Sequence, residues 1–397
     1  MNQTVKKVRE PLFHITKKDN IPFKNKLIVY SLSIFATVIV VAILLRIMYN
    51  YSLFSFLKSM FVGNFGTKRK IWLLLYEMSL LLLISLAVCP PFKMKFWNIG
   101  ADGQALMGGL CACVCMYYLG SKQHINNTLL IFIELIAAIA GGIIWAVIPA
   151  IFKAIWNTNE TLFTLMMNYV AIQFTTFFIS KVVKTGSGVL NPMTEGVLPT
   201  VANKWLLTIL IVAIVTAIIA IYLKFTKHGY ELALVGESVP TAKYAGINVK
   251  KVIIRTLILS GALCGLVGFL IVCGKDGTIS STSIDGRGFT AIIVTWLAKF
   301  NPLYMILTSF FVVFINKGAV ELTTNLHITS HAFKNIVVGL FFFFIIGCEF
   351  FLNYKLNFSK KITDPVNKFF DKIKNLFKKK PKEDPILDDE KKEESKL

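Results

Sequence analysis

HGYELALVGESVPTAKYAGINVKK, residues 228–251, is a polar stretch set between two long apolar runs, residues 205–224 and 252–273. Lys224, Lys227, Lys250 and Lys251 flank it. By the positive-inside rule such a loop belongs on the cytoplasmic side of a membrane. Within it the residues predict a short capped helix. Ser238 can accept from the free N–H groups at the start, and Pro240 is tolerated in the first turn. Gly246 can end the helix in a left-handed conformation. A small rigid helix pushed out of an apolar bundle is a handle for another protein; the plain alternative is a solvated turn.

The neighbouring sequence is membrane-like throughout. The chain has 397 residues, of which 55% are hydrophobic. Runs of about 20 apolar residues recur, each long enough to cross a bilayer. This excludes a soluble domain and predicts an all-α integral membrane protein. The first run, residues 27–49, is too long for a cleaved signal peptide and is not followed by a small-residue cleavage site, so it should stay as an anchor. The net charge of +21 does not argue for nucleic acid. The basic residues gather in the N-terminal tail, the loops and the C-terminal tail, where they fix topology and meet anionic membrane lipids.

About ten membrane segments fit: residues 27–49, 71–89, 97–119, 128–150, 160–180, 205–224, 252–273, 288–298, 302–316 and 335–353. With a basic cytoplasmic tail at 1–26, Lys93, Lys95, Lys153, the 228–251 loop, Lys299 and the tail at 356–397 all fall inside. Lys68, Arg69 and Lys70 fall outside, against the rule. The membrane domain so defined covers 27–355. Its 288–298 segment is too short to cross alone and reads as a half-helix. A second irregular start lies at 96–104, FWNIGADGQ. Paired glycine-interrupted segments point to inverted repeats around a central pathway. The outer loop at 181–204 is either a contact surface or a connection. After Asp364-Pro365, the apolar residues Val366, Phe369, Phe370, Ile373, Leu376 and Phe377 share one helical face, which predicts an amphipathic helix at the lipid surface. The charged residues from Pro381 onward predict a disordered end.

Polar side chains inside spans are costly and therefore candidates for function. Asn98, Asp102 and Gln104 stand at the start of the third segment, where Asp102 could equally cap its own helix. Glu160 suits the positive end of a helix dipole. Asn168 is mid-span and must face the interior. Glu134 and Glu77 are buried without a partner visible from the sequence. Arg287, ahead of Phe289, either meets a polar solute or pairs with Asp285. Gly261, Gly265 and Gly268 form a stripe that allows close helix approach. Cys111, Cys113 and Cys115 alternate and do not converge on a metal, and His327 with His331 lacks a third ligand. No G-x-x-x-x-G-K-[ST] occurs in the sequence, so ATP hydrolysis would come from another subunit.

Four stretches, in order, resemble one family: WNIGADGQALMGG from Trp97, NETLFTLMMNYVA from Asn159, VGESVPTAKYAGINVKKVIIRTLILSGALCGLVG from Val235, and GRGFTAIIVTWLAKFNP from Gly286. The chain resembles the permeases of branched-chain amino acid and simple sugar ABC importers, and the nucleoside-uptake branch best. The resemblance implies a permease subunit that forms the translocation path, with candidates Asn98, Asp102, Gln104, Asn168, Arg287 and Phe289. It implies a coupling helix involving Glu237, Ser238, Ala242, Tyr244, Ala245 and Gly246. It also implies partners: a cytoplasmic ATPase that binds ATP and magnesium, a second related permease and an extracytoplasmic solute-binding protein. The chain itself would bind no cofactor and catalyse no reaction, and it would sit in the plasma membrane with both termini cytoplasmic. The family usually has Glu-Ala-Ala before Tyr-Ala-Gly; here Pro240, Thr241, Ala242 and Lys243 precede it, leaving Glu237 to supply any acidic contact. Rival expectations are a sugar or branched-chain amino acid cargo, or an ion-driven carrier using Glu77, Asp102 and Glu134. A membrane enzyme lacks a nucleophile–base pair.

Overall fold

The computed structural model describes residues 13–18, 22–121, 123, 125–183, 190–328 and 331–358. The expected amphipathic helix after Asp364 and the charged end lie outside the described residues. In chain order come β1 (Phe13–Lys17), α1 (Phe23–Tyr49), α2 (Leu53–Phe65), α3 (Lys68–Lys93), α4 (Ala101–Cys115), α5 (Asn127–Trp156), α6 (Glu160–Val182) and α7 (Leu206–Phe225). Then follow α8 (Lys227–Glu237), α9 (Val239–Tyr244), α10 (Val249–Ile271), α11 (Arg287–Leu297), α12 (Pro302–Asn325), α13 (His331–Asn353) and β2 (Tyr354–Phe358). Single π-helical turns extend α4 over Met116–Ser121 and α10 over Val272–Asp276.

Among the described residues, nine helices are long and apolar enough to cross a membrane, and α11 is a shorter apolar helix. This is the expected all-α multi-pass architecture, with the half-helix in place. Many helices show apolar side chains on an outer face, as Leu210, Ile214, Ile218 and Ile221 do on α7. In water such a face would be costly; against lipid tails it is not. The short helix α2 was not expected from the sequence, because its 13 residues are too few to register as a span.

The chain divides into two compact units. One joins the described residues up to Val41 with those from Leu340 onward. Here β1 and β2 pair antiparallel, Phe13 opposite Phe358 and Lys17 opposite Tyr354. Tyr30 is hydrogen-bonded to the Glu349 carboxylate, and the Ser33 hydroxyl donates to the Phe344 carbonyl at 2.8 Å. The strand pairing holds the two described ends next to each other.

The second unit, Ala42–Gly339, contains the core. Its centre is α10, which packs against α5, α4 and α3. The α10 glycines are the reason for the close approach. A Cβ on Gly265 would lie 2.3 Å from the Ala138 carbonyl oxygen of α5, and one on Gly268 would lie 2.2 Å from that of Ala105 on α4. Gly261 likewise faces Gly142, 2.5 Å from its oxygen to an added Cβ. The three helices therefore meet backbone to backbone, with dispersion contacts and no side chain between them. Beside this seam, α3 is buried continuously from Ser79 to Phe92 and ends at Pro90 and Pro91 in its last turn.

Candidate functional site

The chain leaves α3 and runs through residues 94–100 without regular structure before α4 begins. The exposed polar backbone of this break is satisfied from α6. Thr164 Oγ1 accepts from the Ile99 N–H at 3.1 Å. One turn later, Asn168 Oδ1 accepts from Gly103 N–H at 2.8 Å, and its Nδ2 donates to the Ile99 carbonyl at 3.0 Å. The i, i+4 spacing of Thr164 and Asn168 puts both on one face of α6. Asn159 caps that helix by accepting from Thr161 and Leu162, and Glu160 pairs with Lys153 at 2.9 Å. The NETLFTLMMNYVA stretch is thus a clamp on the start of α4.

Asn98 and Gln104 close a second set of bonds. Gln104 Nε2 donates to Asn98 Oδ1 at 3.1 Å, and Asn98 Nδ2 donates to Gln104 Oε1 at 3.2 Å and to Ser260 of α10 at 3.3 Å. Both amides are buried, and this mutual pairing satisfies them.

On the other side, residues 278–286 enter the bundle as a chain of turns, with Ile279 and Ile284 buried. Irregular backbone at this depth requires protein cover. Residues 190–198 supply it: Met193 N–H donates to the Gly277 carbonyl at 2.7 Å, and Thr278 Oγ1 donates to the Leu190 carbonyl at 2.7 Å. From Gly286, in the left-handed region at φ +68°, α11 starts directly against the start of α4.

Asp102 joins the two starts. It does not cap its own helix, whose first position is held by Gly100 without a side-chain bond. Instead its Oδ1 accepts from Gly288 N–H at 2.9 Å, so a carboxylate on α4 caps α11. There is no room for a side chain at Gly288, where a Cβ would meet the Asp102 backbone nitrogen at 2.7 Å. Arg287 does not line the cavity described below, and its Nη1 donates to the Ser283 and Ile284 carbonyls at 3.1 and 3.0 Å. Its Nη2 bonds Glu77 of α3 at 2.7 Å, and Lys317 of α12 reaches the same carboxylate at 3.4 Å. Glu77 therefore has two basic partners from segments more than two hundred positions away, which no local pattern could reveal.

A cavity of about 300 Å³ opens where these elements meet. That is at the small end of the range for small-molecule sites, about 300–1,000 Å³. Of the residues expected in the path, Asp102, Asn168 and Phe289 line this cavity. Asn98, Gln104 and Arg287 do not; they hold the walls. The lining also includes Tyr169, Ser281 and Thr282, which sequence reading did not single out. Tyr169 was legible as the neighbour of Asn168. Ser281 and Thr282 lie in a stretch that resembles an ordinary loop until its descent into the bundle is seen. Glu134 is buried apart from this cavity, beside Gly196 of the α6–α7 connection.

The 228–251 stretch forms a second feature. It contains two helices rather than one. Thr226 caps α8, accepting from Gly229 N–H at 3.2 Å, and α8 packs on α3, α7 and α10. Gly236 lets it seat on the Lys93 carbonyl. Arg255 binds Glu231 at 2.7 Å, and His228 is hydrogen-bonded to Tyr222 and lies 3.3 Å from the Thr256 hydroxyl. Burial, with the Arg255 charge behind it, holds the His228 imidazole below its ordinary pKa.

From this base α9 projects. Ser238 Oγ accepts from Thr241 N–H at 3.3 Å, Pro240 stands in the first turn, and Gly246 adopts φ +76° just beyond the end. Ala242 is the one buried residue of α9. Glu237, Ala245 and Gly246 are exposed, and Tyr244 is 94% exposed. A short helix capped at its start and stopped by Gly246, anchored by the buried Ala242, leaves the Tyr244 ring uncovered by the described residues.

Comparison with known proteins bears on both features. The chain is 28% identical to the glucose ABC transporter permease protein TsgB13 of Haloferax volcanii over 294 residues, covering 70% of this chain and 76% of that one. It is 27% identical to the nucleoside ABC transporter permease protein NupB of Lactococcus lactis, covering 77% and 86%. To the guanosine ABC transporter permease protein NupP of Bacillus subtilis it is also 27% identical, covering 76% and 88%. No solved structure matches. Residues 71–346 match the family described as branched-chain amino acid transport system, permease component, and that stretch holds the α4–α11 cavity and the α9 projection alike, so the chain belongs to this permease family.

Proposed function

We propose that this chain is the membrane-spanning permease subunit of an ATP-driven importer for nucleosides. The observation that carries the reading is the cavity between the starts of α4 and α11. Its lining pairs the aromatic rings of Tyr169 and Phe289 with the amide of Asn168, the hydroxyls of Ser281 and Thr282 and one capped carboxylate, Asp102. Rings stack on a flat base, and neutral polar groups exchange hydrogen bonds with a sugar. The uncharged cargo needs few fixed charges in the path, and Arg287 is bound to Glu77 outside it. Two of the relatives above are named for nucleoside or guanosine transport, which supports the same cargo.

In this reading α9 is the lever. Tyr244, Glu237 and Ala245 enter a groove on a separate cytoplasmic ATPase, which binds ATP with magnesium and hydrolyses it. Closure of the ATPase pair pushes α9, and α8 passes the push to α3 and α10, on which it is seated. A second related permease completes the path, and an extracytoplasmic solute-binding protein delivers the cargo. The assembly sits in the plasma membrane with both ends of the chain in the cytoplasm.

Uptake of labelled guanosine and uridine, in cells with and without this chain and with excess ribose or glucose as competitor, tests the reading. Loss of nucleoside uptake on depletion, unaffected by either sugar, is expected. Unchanged nucleoside uptake in a strain without redundant systems, with glucose uptake lost instead, would move the cargo to sugars, as the relation to the glucose permease suggests.

A further inference from the structure

We propose that the outward face of α2, together with Lys58, Lys68 and Arg69, is a binding surface for an anionic phospholipid, which it holds by its headgroup phosphate and upper acyl chains. The inner face of α2 is fully engaged. Met60 and Gly63 press on Gly318, Lys317 and Glu321 of α12, and Asn64 Nδ2 donates to the Phe314 carbonyl at 2.9 Å. The other face is largely uncovered by the described residues, touching α12 only where the Phe61 and Phe65 rings meet Phe314 at 5.8 and 6.2 Å. Phe54 is 77% exposed and Phe61 59%, with Leu57 and Phe65 on the same stripe at helical spacing. Lys58 is exposed within that stripe.

Two of the cations, Lys68 and Arg69, lie where the apolar stripe ends. Gly66 and Thr67 turn the chain from α2 into α3, whose first residues are Lys68, Arg69 and Lys70. Lys70 is spoken for: its Nζ bonds Glu321 at 2.8 Å and the Val62 carbonyl of α2 at 3.3 Å. Those bonds draw the start of α3 against the end of α2. Lys68, Arg69 and Lys58 are exposed and have no acidic partner among the described residues. Cations on the first turn of a helix also work against its dipole, so their arrangement gains from an external anion.

Taken together, the surface is a ladder of phenylalanines topped by unpaired positive charge. Phospholipid matches both parts: hydrocarbon for the ladder, phosphate for the charge. A soluble acidic protein would satisfy the cations and leave Phe54 and Phe61 in water. The charge placement along the sequence would put the same basic cluster outside, against the positive-inside rule, and a lipid-holding role gives it a physical reason to be there.

The test titrates the purified full chain with phosphatidylglycerol or phosphatidylcholine in mixed micelles and follows bound lipid by native mass spectrometry. Phosphatidylglycerol is expected to bind at least about tenfold more tightly. The Lys58→Gln, Lys68→Gln, Arg69→Gln triple variant, all of it at exposed positions, should lose that preference with an unchanged helix content. A second variant, Phe54→Ala with Phe61→Ala, should weaken both lipids and keep the preference. If the triple variant retains the preference, the proposal is overturned. It is equally overturned if the triple variant keeps its lipids and loses capture of an acidic extracytoplasmic protein instead.

Discussion

Two regions of the second unit hold helices together by opposite means. The seam of α10 with α4 and α5 is made of shape: Gly261, Gly265 and Gly268 bring backbones into contact and leave no room for anything else. The start of α11 is made of charge: Asp102 caps it, and Glu77, Arg287 and Lys317 tie it to α3 and α12. A glycine seam has one deep packing minimum and resists displacement. A short helix held by a few polar bonds can exchange those bonds for others, at modest cost. The difference teaches that the cavity has one fixed wall and one adjustable one, with α11, Phe289 and residues 281–286 on the adjustable side.

The largest effect is expected from breaking the seam. Gly265→Leu drives a side chain into the Ala138 carbonyl, where even a Cβ is 2.3 Å away. Overpacking into soft side chains costs about 1–3 kcal/mol, and this collision is with backbone, so the loss should exceed that range. Membrane insertion followed by thermal unfolding in detergent should show little folded protein. A variant that unfolds like the parent would mean that the seam is open.

The charged wall should respond less, and in a non-additive way. Arg287→Gln leaves Glu77 with only Lys317 at 3.4 Å and is expected to cost about 3 kcal/mol, near the lower end for an uncompensated buried charge. The triple variant Glu77→Gln, Arg287→Gln, Lys317→Gln removes all three charges and should recover a large part of that loss. Equal losses in the single and triple variants would sink the ion-pair account. Uptake should fall in both, since the anchor of α11 is altered either way.

The smallest change sharpens the contrast. Asp102→Asn keeps an oxygen that can accept from Gly288 N–H but removes the negative charge at the start of α11. Stability should drop by only about 1 kcal/mol. Uptake should drop by a larger factor, because the same side chain lines the cavity. Proportional losses in stability and uptake would mean that Asp102 is a structural cap alone.

Local patterns were legible where a residue acts on its own neighbourhood. Ser238, Pro240 and Gly246 announce α9 because capping, an early proline and a left-handed stop all operate within a few residues. Asn168 was marked as inward-facing by its position in an apolar run. The short α11 was visible as a segment too brief to cross: its 11 residues span about 16 Å. What stayed hidden depended on distant partners. Glu77 had none in sight until α11 and α12 folded beside α3. Asp102 was expected to serve its own helix as readily as a path, and it serves α11, because the two helix starts face each other. Asn98 and Gln104 were read as path residues, and each is occupied by the other.

The sequence by itself determined that this chain spans a membrane, roughly where it crosses, which loop projects a capped helix, and which family it resembles. Those follow from hydropathy, charge placement and turn chemistry, all short-range properties of the chain. Only the tertiary structure decided which polar side chains face the cavity and which lock its walls. A buried polar group must find a partner, and whether that partner is a neighbouring helix or is left for a solute depends on what the fold brings within about 3 Å of it.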